Sequence, residues 1–279
     1  MAKVIIITKK MQKVRAKKSL GQHFLTDLTI ADRIAATLDA YRGTPVLEVG
    51  PGMGVLTQFL LDRGHDLRVV ELDAEAVDYL TTRFPDLHGR IIAEDFLRLD
   101  LRRLFGGSRF CVIGNYPYNI SSQIFFRVLD HRDQVVCCSG MLQREVAQRI
   151  TSAPGSKVYG ILSVLLQAWY DTEYLFTVDE HVFSPPPKVK SGVIRLTRNQ
   201  VDDLGCDERL MKTVVKTSFG MRRKMLRSSL RGLFGNNEGM LARDIFRQRP
   251  EQLSVQDFVE LTNRAQEARE QLPVNDERI

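Results

Sequence analysis

The sequence predicts an α/β protein in which helices wind a parallel sheet on both faces, with a smaller all-helical part after it. Three observations carry that expectation. Short runs rich in Val, Ile and Leu alternate with helix-like stretches through the first two-thirds of the chain. A glycine-rich turn, Gly50-Pro51-Gly52-Met53-Gly54, joins the first of these runs to the helix after it. From about Asp202 onward only helical patterns remain. A short apolar run bounded by turns reads as a strand buried on both faces. Strands alternating with helices pair parallel, because each crossover helix must lie back on the sheet.

In order, a helix over Thr29–Leu38 precedes the first strand, Pro45–Gly50. Helix Val55–Leu61 leads to strand Leu67–Leu72, helix Ala74–Arg83 leads to strand Arg90–Asp95, and Phe110–Gly114 is a fourth strand. Helix Ser121–Leu129 is followed by strand Gln134–Cys138, then by helices near Gln143–Ile150 and Tyr159–Ala168. Thr172–Val178 and Val189–Thr197 read as two more strands. The link between them, which carries Pro185-Pro186-Pro187, is short, so antiparallel pairing at the sheet edge is expected. Ser254 and Asp257 form a capping box ahead of Phe258, Val259 and Leu261 and announce the last helix. The expected units are a basic extension (1–18), a Rossmann-like domain (19–200) and a helical domain (201–279).

The 279 residues carry 40 Lys and Arg against 34 Asp and Glu, a net charge of +6. Its distribution is more informative than its size. Residues 1–18 hold seven basic residues and no acid, and residues 209–231 hold eight more and no acid. Outside those segments 25 basic residues face 34 acidic ones, a net of −9. An acidic body with two basic segments points to a polyanion partner. The hydrophobic content of 43% suffices for a full core and argues against disorder. No apolar run approaches the ~20 residues of a membrane span. Val4–Ile7 is too short for a signal-peptide core of about 7–15 residues. Residues 1–10 fit poorly with the rest of the chain, and Met11 offers an alternative start. Cys111, Cys137, Cys138 and Cys206 contain no C-x-x-C pair, so neither a disulfide framework nor a zinc site is expected and a reducing cytoplasm is.

The strand ends carry the chemistry. Gly50 and Gly52, at a strand-to-helix turn, let the backbone pass close to a ligand. Glu71 lies about 20 residues further on, the spacing at which an acid binds the ribose hydroxyls of a nucleoside cofactor. Asp95 ends the third strand, where a carboxylate can accept from an adenine amine. No Lys-Ser or Lys-Thr follows the glycines, which excludes a P-loop. Dinucleotide binding stays open on these residues alone. The fourth strand decides against it, because it runs into Asn115-Tyr116-Pro117-Tyr118. This stretch resembles the N-P/L-P-Y motif of S-adenosylmethionine-dependent enzymes that methylate exocyclic base amines.

An adenine amine is a poor nucleophile, since its lone pair is delocalised into the ring. Two acceptors that hold its hydrogens draw the nitrogen toward tetrahedral geometry and free the lone pair. The Asn115 side-chain oxygen is one candidate. The Tyr116 carbonyl is the other, because Pro117 biases the residue before it to an extended shape. Tyr118 supplies an aromatic face for an extruded base. Positioning and electrostatics then carry the catalysis, and no strong base is needed.

From about Lys17 to Ala265 the chain resembles the KsgA/RsmA family of small-subunit ribosomal RNA adenine dimethyltransferases. Its first matching block is Lys18-Ser19-Leu20-Gly21-Gln22-His23-Phe24-Leu25, in which the resemblance has His23 and Leu25 contact the methionine portion of S-adenosylmethionine. Gly50, Glu71, Asp95 and Asn115 correspond to the other cofactor positions. Met141–Ala147 and Phe183–Ser191 also match, and the aromatic at Phe183 is implied to be the second wall around the target adenine, opposite Tyr118. Phe219–Leu230 matches the basic block of the helical domain, which implies rRNA contact through Arg222, Arg223, Lys224 and Arg227. His23 stands where many relatives carry Asn, and Tyr116 replaces the usual Leu.

The resemblance implies a class I methyltransferase sheet of seven strands, the last antiparallel. It also implies dimethylation of two adjacent adenosines in a hairpin near the 3′ end of 16S rRNA, late in small-subunit assembly. S-adenosylmethionine is the expected donor, without a metal. A monomer in the cytoplasm, with no membrane partner, is expected. Two alternatives stand beside this reading: a related macrolide-resistance methylase acting on large-subunit rRNA, and a non-catalytic assembly or transcription factor. The Phe183–Ser191 and Phe219–Leu230 blocks argue against the first, and intact Asn115, Tyr118, Glu71 and Asp95 against the second.

Overall fold

The structure, a computed structural model, describes residues 17, 22–235 and 237–270. The basic extension apart from Lys17, and the first three residues after it in the matching block (19–21), lie outside the described residues. Seven strands form one sheet: β1 (Val46–Val49), β2 (Leu67–Val70), β3 (Ile91–Ile92), β4 (Phe110–Asn115), β5 (Val135–Gln143), β6 (Tyr170–Val178) and β7 (Ser191–Arg198). Their order is β3-β2-β1-β4-β5-β7-β6. β1 to β5 pair parallel, and β7 runs antiparallel to both β5 and β6. The antiparallel pair is therefore present, but β7 lies inside the sheet and β6 takes the edge.

Each central strand points alternate residues into two separate cores. Val46, Cys111 and Cys137 face a cluster with Ile34 of α1 (Leu28–Ala35), Leu60 of α2 (Val55–Asp62) and Leu80 of α3 (Ala74–Arg83). Leu47, Val112 and Cys138 face the other, with Phe125 of α4 (Ser121–Asp130), Ile150 of α5 (Arg144–Thr151) and Val164 of α6 (Ile161–Gln167). This second core continues into α7 (Glu208–Gly220), α8 (Leu226–Ser229), α9 (Glu238–Leu241) and α10 (Val255–Glu270) through Val214, Leu226, Leu241 and Phe258. The boundary drawn at residue 200 falls in the connection between β7 and α7, and the apolar packing runs across it. At the start of α10 the Ser254 hydroxyl accepts from the Asp257 N–H, and the Asp257 carboxylate accepts from the Ser254 N–H, the expected capping box.

Two strands differ from the sequence reading. β3 is only Ile91–Ile92, an edge strand paired to β2 alone, and the chain leaves the ladder before Asp95. β5 runs on to Gln143, past the expected end at Cys138 and through Ser139-Gly140. Gly140, at φ +147°, pairs with Gly114 of β4, and the Tyr116 ring lies against both. A Cβ at residue 140 would stand 2.2 Å from the Gly114 carbonyl oxygen and 2.8 Å from the Tyr116 ring. The glycine is therefore what lets the strand beside the Asn115 turn continue. Gly140→Ala is expected to destabilise the fold by about 2–4 kcal/mol. Gly43→Ala, also at positive φ but with nothing within 4 Å, should cost about 1–2 kcal/mol. Urea unfolding of the two variants measures the difference.

Candidate active site

The C-terminal ends of β1 to β4 open into one cleft, where a ligand site of a parallel sheet is expected. Glu71 organises its floor. Its carboxylate accepts from the backbone N–H groups of Gly52 (3.0 Å), Leu72 (2.9 Å) and Asp73 (2.9 Å), so it ties the glycine turn to the end of β2. Burial pushes the Glu71 carboxyl up, and the three backbone donors oppose that. A carboxylate offers about four acceptor sites, so room remains for a hydroxyl from the cleft. Asp95 is half-buried at the rim, with Oδ1 capping Leu97 N–H at 2.9 Å. Gly50, Gly52 and Leu25 line the same space. So do Pro51, Met53, Leu72, Phe96 and Leu97, which the sequence reading did not single out. Pro51 and Met53 are marked in the sequence only by lying between the turn's glycines, and Leu72, Phe96 and Leu97 only by following Glu71 and Asp95.

Residues 22–25 cross this cleft as a strap. Phe24–Leu25 pairs antiparallel with Phe183–Ser184 in a separate two-stranded ribbon. Further back, the Lys17 ammonium reaches Asp73 at 2.6 Å and Glu75 at 3.0 Å, and the Gln22 amide donates to Asp73 at 3.3 Å. Burial alone would raise the Asp73 carboxyl, but the bonds from Lys17, Gln22 and the Glu75 N–H bring it below its usual value.

Asn115 meets the strap from below. Its Nδ2 donates to the His23 carbonyl at 3.0 Å. A carbonyl only accepts, so the amide nitrogen is the end that faces it and Oδ1 is left for the cleft that Asn115 lines. The Tyr116 side chain is wholly buried, with its hydroxyl donating to the Ser139 carbonyl at 2.7 Å and its N–H to the Met141 carbonyl at 2.9 Å. What Tyr116 offers the cleft is therefore backbone. Tyr118 is half-buried, its hydroxyl bonded to Ser191, and burial pushes the phenol up. Its ring stacks on His23, with centroids 5.4 Å apart and planes at 29°. The His23 ring is pinned in turn by Nδ1, 2.8 Å from the Pro185 carbonyl.

Two expected residues sit differently. Phe183 is 4% exposed and packs in the same apolar cluster as Leu25, Val178 and Val193, not among the residues that line the cleft. Arg222 donates to the Lys157 carbonyl and faces Glu251 at 3.8 Å, so it clasps the loop after α5 to the helical region. Arg223, Lys224 and Arg227 are exposed. Among the described residues, no group of His, Cys, Asp or Glu is arranged to hold a metal ion.

The strand order, the glycine turn and the acids at the ends of β2 and β3 define the fold of class I S-adenosylmethionine-dependent methyltransferases. Solved structures share it. A dimethyladenosine transferase from Plasmodium falciparum superposes with a TM-score of 0.76 over 88% of this chain and 98% of that one, at 21% identity. The 23S rRNA methyltransferase ErmE superposes with a TM-score of 0.63 over 85% and 99%, at 25% identity. Within this class, the profile of the ribosomal RNA adenine dimethylase family matches residues 13–267, and the chain belongs to that family. Two relatives, each named ribosomal RNA small subunit methyltransferase A, come from Parabacteroides distasonis and Porphyromonas gingivalis. The first is 69% identical over 252 residues, covering 90% of this chain and 94% of its own, and the second 64% identical over 253 residues, covering 90% and 98%.

Glu48 is a further acid of the cleft. It is 1% exposed in β1, its Oε2 accepts from the Thr57 hydroxyl at 2.6 Å, and burial pushes its carboxyl up to about 8. The folded protein holds that proton more tightly than the unfolded chain. Its contribution to stability is therefore full below about pH 4.5 and is lost as pH rises through 8. Glu48→Gln, which keeps an acceptor for Thr57, should be nearly neutral at pH 4.5 and more stable than the parent by roughly 2–4 kcal/mol at pH 8. Denaturant unfolding across that range checks it.

Proposed function

We propose that the protein dimethylates the N6 amines of two adjacent adenosines in a hairpin near the 3′ end of 16S rRNA, within the small ribosomal subunit late in its assembly. The observation that carries this reading is the Asn115 amide, whose nitrogen is spent on the His23 carbonyl while its oxygen is left for an amine. Asn115 Oδ1 and the Tyr116 carbonyl hold the two hydrogens of the target amine and localise its lone pair. Tyr118 stacks the extruded base and offsets part of the cost of unstacking it. The names of the two relatives support the small subunit as the substrate.

The cleft residues fit S-adenosylmethionine. Glu71 would take the ribose, Asp95 the adenine amine, and Gly50 and Gly52 the close approach of the backbone. His23, Leu25 and Asn115 would border the methionine end. The cofactor supplies a sulfonium methyl that is already electrophilic, so the reading needs neither a metal nor a strong base. Arg223, Lys224 and Arg227 would contact rRNA phosphates. The reading includes a monomer acting in the cytoplasm, and no described helix is long and apolar enough to cross a membrane.

Asn115→Ala should fold and bind cofactor but transfer methyl to unmethylated small subunits roughly 100-fold more slowly or worse. Wild-type transfer by that variant, with products identified by mass spectrometry, would remove the amide from the mechanism. Replacing Arg223 and Lys224 by Ala should weaken binding to the subunit and reduce the slope of log K against log salt by about 1–2. Arg222→Ala should instead lower the melting temperature, because it leaves the Lys157 carbonyl without its donor. Salt titrations and thermal melts separate the two effects.

A further inference from the structure

We propose that the Tyr116 side chain is a positioning group for methyl transfer, whose ring and hydroxyl lock the backbone that carries the second acceptor for the target amine. This inference rests on the adenine-methylation reading and adds to it the device that aims the Tyr116 carbonyl. The side chain is 1% exposed and packs in the core with Phe125. Its hydroxyl donates to the Ser139 carbonyl at 2.7 Å. The Cys138 thiol lies 3.3 Å from the same hydroxyl oxygen and, with that hydrogen already spent, is the donor of the pair. The hydroxyl is thus satisfied both as donor and as acceptor. The ring lies across two glycines that pair in register, Gly114 of β4 and Gly140 of β5. A Cβ at residue 114 would stand 3.1 Å from the ring, and one at residue 140 would stand 2.8 Å from it. Phe125 of α4 meets the ring edge to face, with centroids 5.6 Å apart and planes at 73°.

These contacts bear on the chemistry because both amine acceptors hang on the same stretch of β5. Asn115 pairs with Met141 in register, and the Tyr116 N–H donates to the Met141 carbonyl at 2.9 Å. The Tyr116 hydroxyl adds a second anchor from residue 116 to that strand, two residues earlier at Ser139. On the other side of the carbonyl, Pro117 restricts rotation about the Cα–C bond of Tyr116. The peptide unit itself is planar and stiff, so a carbonyl turns only through the soft dihedrals beside it. The two anchors and Pro117 therefore fix its direction between them. Asn115 Oδ1 is oriented separately, through the His23 carbonyl. Only one of the two acceptors thus depends on the tyrosine hydroxyl. Releasing it leaves base stacking and phosphate contacts in place, because neither passes through Tyr116. It misaims an acceptor at the moment the amine reacts, which slows the chemical step. The expected mark is a loss in kcat without a change in KM.

The test compares two substitutions in the full chain, assayed with unmethylated small subunits and labelled S-adenosylmethionine. Tyr116→Phe keeps the ring and removes only the hydroxyl. Tyr170→Phe makes the same change at the other end of β5, since Tyr170 is also 1% exposed and its hydroxyl donates to the Val135 carbonyl at 3.0 Å. Thermal melts should show both variants folded, with similar losses in melting temperature. Tyr116→Phe should lower kcat roughly 10-fold, with KM for subunits and the affinity for S-adenosylhomocysteine by equilibrium dialysis within about twofold of the wild-type protein. Tyr170→Phe should keep kcat within about twofold, because the bond it loses lies far from both acceptors. An unchanged kcat in Tyr116→Phe, a rise in KM in place of the fall in kcat, or an equal fall in kcat in Tyr170→Phe would each overturn the assignment. Failure of the wild-type protein to methylate the subunits would instead overturn the underlying reading.

Discussion

A backbone carbonyl can accept a hydrogen bond but never donate one, and that restriction orients the side chain at the centre of this cleft. The His23 carbonyl takes the Asn115 amide nitrogen and so turns Oδ1 toward the space where an amine would sit. For the carbonyl to be there, the strap must cross the cleft. The strap is held by the ribbon with Phe183–Ser184, by the pairing of Lys17 and Gln22 with Asp73, and by the His23 ring on Tyr118. Asn115 itself is placed by β4, whose neighbour continues past it because Gly140 leaves room for the Tyr116 ring. One bond thus joins segments some 90 residues apart in the chain.

The same economy appears in the acids. Glu71 serves the fold through three backbone N–H groups before any ligand arrives, and a ligand hydroxyl would complete its set of donors. Glu48, one strand away, has a single hydroxyl partner and no backbone donor, so burial dominates and favours its neutral form. Two glutamates within one cleft are thus separated by how many donors the backbone brings to each.

Much of the fold is legible in local pattern. The runs around Val46, Leu67, Phe110 and Val135 are apolar on both faces, as strands between two helical layers must be, and α3 matches its expected span of Ala74–Arg83. Local pattern misreads places where a neighbour supplies the reason for a residue. The expected strand stops at Cys138, because the Gly114 backbone and Tyr116 ring that pack on Gly140 come from another strand. Arg222 and Arg223 are indistinguishable as sequence, yet only Arg222 has a carbonyl of another loop within reach. Phe183 and His23 both belong to blocks with aromatic character, and only packing decides which ring is buried and which meets Tyr118.

Residue types close together in the chain suffice for the sheet class, the glycine turn, the acids at the strand ends and the Asn115–Tyr118 turn. Hydrophobic periodicity and backbone bias act over a few residues and leave their mark there. Folding had to settle that β7 inserts beside β5, that the strap covers the cleft, which end of Asn115 faces it and which basic residues are left for a polyanion. Those outcomes depend on donors, acceptors and rings brought together from distant segments, and a hydrogen bond or a stack has no signature in a sequence until both partners are in place.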